Sequence, residues 1–178
     1  MTTVKITATG LGEAIATVRG AAERARNLSP VLPVIAQIWT TAIDDRFRSS
    51  TDFAGQPFAP NKPSTVKRKG SSKPAIDTSR FRSSISARPV GRSTIAFGTN
   101  VKYAAPVALG FKRAGSLRRT SYAGGTKRPK GAAWSVTVPG RNPFPVREGR
   151  LIGTGPGLVL LEKTKRTLVA FIANGRTT

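Results

Sequence analysis

Thirty lysines and arginines against eight aspartates and glutamates leave this 178-residue chain with a net charge of +22, and no histidine is present to vary it with pH. Self-repulsion at that charge opposes compaction unless an anionic surface neutralises it. The counter-charge can come from nucleic acid, an acidic protein or an anionic membrane, and a surplus kept for solubility alone is seldom this large. Apolar residues amount to 38%, while Gly (18) and Pro (13) are plentiful, so a modest core with long loops is expected. The length suits a single domain, 1–178, with projecting segments.

Cysteine is absent as well as histidine. Disulfides, thiolate chemistry, the usual ligands of zinc and most transition metals, and the base of the familiar triads all go with them. Neither a cofactor nor a metal is expected. The opening MTTVKITATG lacks a basic segment followed by an apolar run, and no apolar stretch is long enough to span a bilayer. The expectation is a soluble product of a reducing cytoplasm with no membrane partner.

Residues 3–8 alternate as a strand does, with Val4 and Ile6 on one face. Leu11, Ile15, Val18, Ala22 and Ala25 place a helix over 11–27. Ser29 as cap and Pro30 at the first position open a second helix, which reaches about Arg48. Its apolar members are Val34, Ile35, Ile38, Trp39, Ala42, Ile43 and Phe47. These helices, 1–48, should form a hairpin and supply much of the core.

Residues 49–150 carry loops and strands. A loop is expected at 49–63, a short helix at 64–69, and another at 78–85 capped by Asp77-Thr78. Strands at 85–90 and 93–99 should pair through Gly91-Arg92. One or two helical turns at 103–109 stop at Gly110. Residues 111–131 hold seven basic residues and no acid, which reads as a mobile loop that orders on contact. A strand at 133–138 and a Pro-rich RNPFPV lead into the 151–178 segment. There a helix at about 157–173 sets Leu158, Leu161, Leu168 and Ile172 near one side. The fold class expected is α+β: a small antiparallel sheet packed by the N-terminal helical hairpin and the C-terminal helix, with long basic loops.

Candidate chemistry is sparse. Asp44 and Asp45 are adjacent on a helix, so they point about 100° apart and cannot face each other as an acid–base pair. Asp52 is the third member of that cluster, and a solvated helix end accounts for it better than catalysis. The run Gly153-Thr154-Gly155-Pro156-Gly157 resembles a phosphate cradle but lacks its Lys-Ser/Thr, and Pro156 has no N–H to give. A flexible joint is the expected role. The basic loop is the better candidate. Lys112, Arg113, Arg118, Arg119, Lys127, Arg128 and Lys130, interleaved with Phe111 and Tyr122, can meet phosphates without reading sequence, or dock on an acidic partner ring.

An ordered set of motifs runs through the middle of the chain: Phe47 at a helix end; GQPFAP at 55–60; DTSRFRSSI at 77–85, with Thr78, Phe81 and Ile85; IAFGTN at 95–100, with Gly98; Tyr103-Ala104-Ala105; Leu109-Gly110; and Arg141-Asn142-Pro143-Phe144. Over about residues 35–150 this resembles the phage virion morphogenesis (tail completion) family of Mu-like and P2-like tailed phages. That family shows G-x-x-W-x-P, T-G-x-L-x-x-S-I, V-G-T-x-x-x-Y-A, F-G and P-x-R-P-F in the same order. Phe58 stands where the family has Trp, Ser79 where it has Gly, and Asn142 interrupts Arg-Pro-Phe.

The resemblance implies a structural virion protein, not an enzyme, that joins or completes the tail at the head–tail interface. It implies a homo-oligomeric ring set by the tail's symmetry, six-fold being expected, with other neck and tail proteins as partners and phage DNA in its channel. The motif residues read as structural. Thr78 caps the turn that buries Phe81 and Ile85, Gly98 lets a strand end turn, Tyr103 packs back on the sheet, and Pro143-Phe144 pins a loop. A sequence-independent DNA-binding protein acting outside the virion remains the alternative, and a lytic or nucleolytic enzyme would need a metal or paired carboxylates.

Overall fold

A computed structural model describes residues 11–116, 121–123, 126–128, 131, 133–147 and 150–177. The expected strand at 3–8 lies outside them. The elements are α1 (Leu11–Arg26), α2 (Leu32–Ser49), α3 (Pro63–Lys69), α4 (Arg80–Ser83), β1 (Ser86–Val90), β2 (Thr94–Gly98), α5 (Ala104–Leu109), β3 (Gly110–Ser116), β4 (Ser121–Ala123), β5 (Thr126–Arg128), β6 (Ala133–Pro139), β7 (Val146–Arg147), β8 (Arg150–Leu151) and α6 (Gly155–Asn174). The fold is mixed α+β. Its described strands form four separate two-stranded antiparallel ribbons, β1-β2, β3-β6, β4-β5 and β7-β8.

The chain divides into two compact units. One gathers the described residues of Met1–Ala42, Ile85–Gly98 and Leu158–Thr178. Its core joins Val31, Ile35 and Phe171, with Leu28, Trp39, Ile95, Leu168 and Ile172 packed against them. Trp39, half-buried, sets its ring 5.5 Å from Phe97 and donates its indole N–H to Thr164 Oγ1 at 2.9 Å, so the one polar atom of a large apolar side chain is satisfied. Arg24 reaches the last turn of α6, donating from Nε to Ile172 O (2.8 Å) and from Nη2 to Ala173 O (2.9 Å). A cation there satisfies carbonyls that have no partner within the helix.

Two expectations change here. α1 forms where its periodicity places it but buries no residue, with Leu11, Ile15 and Val18 all exposed, so the core comes from α2 and α6. The helix α2 begins at Leu32, not at Ser29-Pro30. The preceding residues form a turn closed by Leu28 O, and Pro33 sits in the first helical turn, where its missing N–H costs nothing. On α6 the buried side chains are those of Leu160, Thr167 and Phe171, while Leu158 is exposed.

The second unit holds Ile43–Ser84 and Thr99–Gly157. Ile43, Phe47, Phe53, Pro143 and Pro145 are fully buried in it. Asp52 organises the 51–57 turn: its Oδ1 accepts from Ala54 N (2.9 Å) and Gln56 N (2.8 Å), and its own N–H donates to Gln56 O (2.8 Å). The end of that turn meets the start of α6, where Gly157 N donates to Phe53 O at 2.9 Å.

The glycines that open α6 are a tight packing device rather than a flexible joint. A Cβ at Gly157 would lie 2.1 Å from Ile152 O. One at Gly155, whose φ is +52°, would lie 3.0 Å from Ala54 O. Only glycine permits such backbone approach.

The described residues of 111–131, a segment expected as a loop, lie mostly in β-strands. β3 pairs with β6 from Gly110↔Pro139 to Ser116↔Ala133, and β4 pairs with β5. The basic, glycine-broken FKRAGS has no strand alternation of its own, so it takes its conformation from hydrogen bonding to AWSVTVP. The ribbon's root is held by a glycine pair. A Cβ on Gly110 (φ +73°) would come within 2.5 Å of Gly140 N, and one on Gly140 within 2.8 Å of Ala108 O. Farther out, Phe111, Lys112, Arg113 and Val136 are exposed.

Candidate functional site

Four of the motif residues form an aromatic knot in the second unit. Phe47, at the last turn of α2, meets the edge of Phe81 at 5.3 Å and 89°. Phe81 in turn touches Tyr103 at 6.3 Å and Phe144 at 6.4 Å, both tilted toward edge-to-face. Such geometry sets the positive ring edge against the negative face. Tyr103 therefore packs on Phe81 rather than on a sheet, and the residue stays 46% exposed.

The turn before Phe81 differs from the capped helix expected. α4 is a single turn with Ser79 in the cap position, in left-handed conformation (φ 58°) and with no side-chain cap bond, while Thr78 is exposed. Asp77 and Thr78 thus cap nothing. Ile85 is buried, as expected, in the first unit. Gly98 ends β2 with φ outside the left-handed region and open space about its Cα, so the backbone there does not demand glycine.

Arg141 is fastened by its own backbone and guanidinium. Its N–H donates to Val107 O at 2.9 Å, Nε to Ala59 O at 2.8 Å, and Nη2 to Pro60 O at 3.1 Å. Burial lowers its pKa. Beside it Asn142, the residue that interrupts the Arg-Pro-Phe run, closes the next turn. It accepts from Phe144 N (3.0 Å) and donates to Val146 O (2.7 Å), while Pro143 is buried. Thr78, Phe81, Tyr103 and Arg141 also line one cleft of about 460 Å³, along with Lys69, Asp77 and Arg80.

The three clustered aspartates are occupied structurally or stand alone. Asp44 accepts from Arg82 Nε and from Arg82 Nη2 at 2.8 Å, and pairs with Arg48 Nε at 2.8 Å. The hydrogen bonds from Arg82 hold its carboxyl below the ordinary value. Asp52 serves its turn, and Asp45 is exposed. Among the described residues no group of three potential ligands could hold a metal ion, and no helix is long and apolar enough to cross a membrane.

Of the basic candidates, Lys112 and Arg113 lie exposed on β3, and Lys127 and Arg128 lie on β5, which pairs Tyr122 with Lys127 and Ser121 with Arg128. Arg118, Arg119 and Lys130 lie outside the described residues. Sequence reasoning missed the Asp44–Arg82 pair, whose members are 38 positions apart, and the aromatic knot as a unit. Each of its rings was legible singly, but nothing in their spacing marks them as neighbours. No curated protein and no solved structure matches the chain. The model of the phage virion morphogenesis family matches residues 11–143, most of the sequence, and the chain belongs to that family.

Proposed function

We propose that the chain works as one tail-completion-like structural subunit of the phage neck, without catalytic activity, assembled in the host cytoplasm. It completes or joins the tail as part of a homo-oligomeric ring around the DNA channel, with other neck and tail proteins as neighbours. Membership in a virion morphogenesis family supports the setting. The observation that carries the finer reading is the β3–β6 ribbon. A two-stranded ribbon is marginal by itself in water. This one leaves Phe111 (43%) and Val136 (41%) exposed beside Lys112 and Arg113, so it wants a covering partner. A closed ring supplies heterologous neighbours for such arms. The basic side chains of 112–130 then meet DNA in the channel or an acidic adjoining ring.

The test is charge reversal at Lys112, Arg118, Arg119 and Lys127 together in the phage. The expected result is a chain that folds, with heads and tails that accumulate unjoined. Normal yields of infectious particles would overturn the reading. Tight binding of the free protein to duplex DNA, falling steeply with salt, would favour a DNA-binding protein outside the virion instead.

A further inference from the structure

Three cations converge on the cleft in the second unit with little to neutralise them. Lys69, Arg80 and Arg141 line it against one carboxylate, Asp77. Asp44 pairs with Arg82 and Arg48, and among the described residues Lys69, Arg80 and Arg141 have no acid partner. Two are held in place by neutral carbonyls. Lys69 Nζ donates to Lys73 O at 2.7 Å, and Arg141 donates to Ala59 O and Pro60 O. A guanidinium carries five N–H donors in a fixed fork, so Arg141 keeps several for another acceptor. Burial disfavours its charge, and an incoming anion would offset that. Phe81 forms an apolar wall and Tyr103 presents a half-open ring.

The ligand that fits is an anion carried next to an apolar group. A planar carboxylate suits the arginine fork. The volume, about 460 Å³, lies in the range of sites that enclose a few residues or a small ligand. A nucleic-acid backbone fits less well. It prefers an open basic stripe to an enclosed cleft with an apolar wall. A second copy of this chain fits poorly too, because it brings the same +22 surplus with only eight acids.

We propose that this cleft receives an acidic segment of a neighbouring virion protein, with carboxylates on Arg80, Arg141 and Lys69 and an aromatic or aliphatic side chain against Tyr103 and Phe81. The proposal rests on the virion reading for the partner's origin, and on the cleft alone for its chemistry. Recognition is then divided. The β3–β6 ribbon supplies charge without shape, and the cleft supplies charge with shape.

The test is fluorescence anisotropy with the full chain at physiological ionic strength. The probe is a labelled hexapeptide of sequence Asp-Glu-Phe-Asp-Leu-Glu, with its all-amide counterpart and a short single-stranded oligonucleotide as competitors. Arg80 is exposed, so Arg80→Glu should leave the melting curve unchanged and weaken the peptide about tenfold or more, as expected for loss of a central contact. Tyr103→Ala should weaken it about fivefold. Arg68→Glu makes the same charge change on α3 outside the cleft and should alter binding less than about twofold.

Absence of peptide binding, or equal losses from Arg68→Glu and Arg80→Glu, would overturn the proposal. So would displacement of the peptide by the oligonucleotide with the same dependence on Arg80, which would assign the cleft to nucleic acid. The ribbon charge-reversal variant should still bind the peptide as the unaltered chain does. If the cleft experiment fails while that variant still leaves heads and tails unjoined, the cleft proposal falls and the neck reading stands.

Discussion

Replacing Phe47 with alanine removes a ring that has no exposed surface and meets the edge of Phe81 at 5.3 Å. Truncating a fully buried phenylalanine costs about 3–5 kcal/mol, the transfer of the ring plus the cavity it leaves. The edge-to-face contact contributes about 0.5–1.5 kcal/mol of that. Set against a total stability of about 5–15 kcal/mol, the loss is a large fraction. At about 2–4 °C per kcal/mol for a chain of this size, Tm should fall by about 6–20 °C.

Urea and thermal unfolding followed by circular dichroism measure both quantities. Phe47→Leu, which keeps much of the volume, should cost about 1.5 kcal/mol or less. A double-mutant cycle of Phe47→Leu with Phe81→Leu should return a coupling of about 0.5–1.5 kcal/mol. A loss below about 1 kcal/mol for Phe47→Ala, or no coupling between the two rings, would refute the aromatic knot as the centre of this unit.

Further outcomes follow from single contacts. Gly157→Ala should destabilise by more than about 2 kcal/mol because its Cβ would collide with Ile152 O, while Gly153→Ala, with open space around it, should be near neutral in the same melts. Asp44 has a depressed carboxyl, so its stabilisation is present above its ordinary pKa of 3.8 and is lost as pH falls through the lower folded value. Asp44→Asn should therefore flatten the acid limb of the stability profile below about pH 4, by under about 1 kcal/mol since the pair is partly solvated. Arg24→Met should lower Tm modestly, by about 1 kcal/mol equivalent, through loss of two bonds to the α6 carbonyls. Titrating Arg24→Met with urea tests it, and an unchanged midpoint would contradict the capping role.

The helices were legible because their signal is local. Ile35, Ile43 and Phe47 repeat at helical spacing and are among the buried residues of α2. The β1–β2 hairpin was legible through Gly91 and the alternation on either side of it, and the register Val90↔Thr94 follows. What failed was non-local. β3 has no apolar alternation, and its partner β6 begins 17 residues after β3 ends, so only the pairing makes it a strand. The glycines at 155 and 157 looked flexible because a sequence cannot show that Ala54 O and Ile152 O press on them.

The apolar stripe of α1 reads as core by periodicity, yet Val18 stays 68% exposed, since periodicity reports a face but not what covers it. The cleft has the same origin. Thr78, Phe81, Tyr103 and Arg141 were each picked out as motif residues, and only the fold places them around one cavity.

A density map of the intact particle tests the central claim most directly. The expected result is a closed ring of this chain at the junction of head and tail, with the β3–β6 ribbon turned toward the DNA channel or an adjoining ring. A particle lacking the chain, or a ring whose ribbon points into outer solvent without a neighbour, would contradict it.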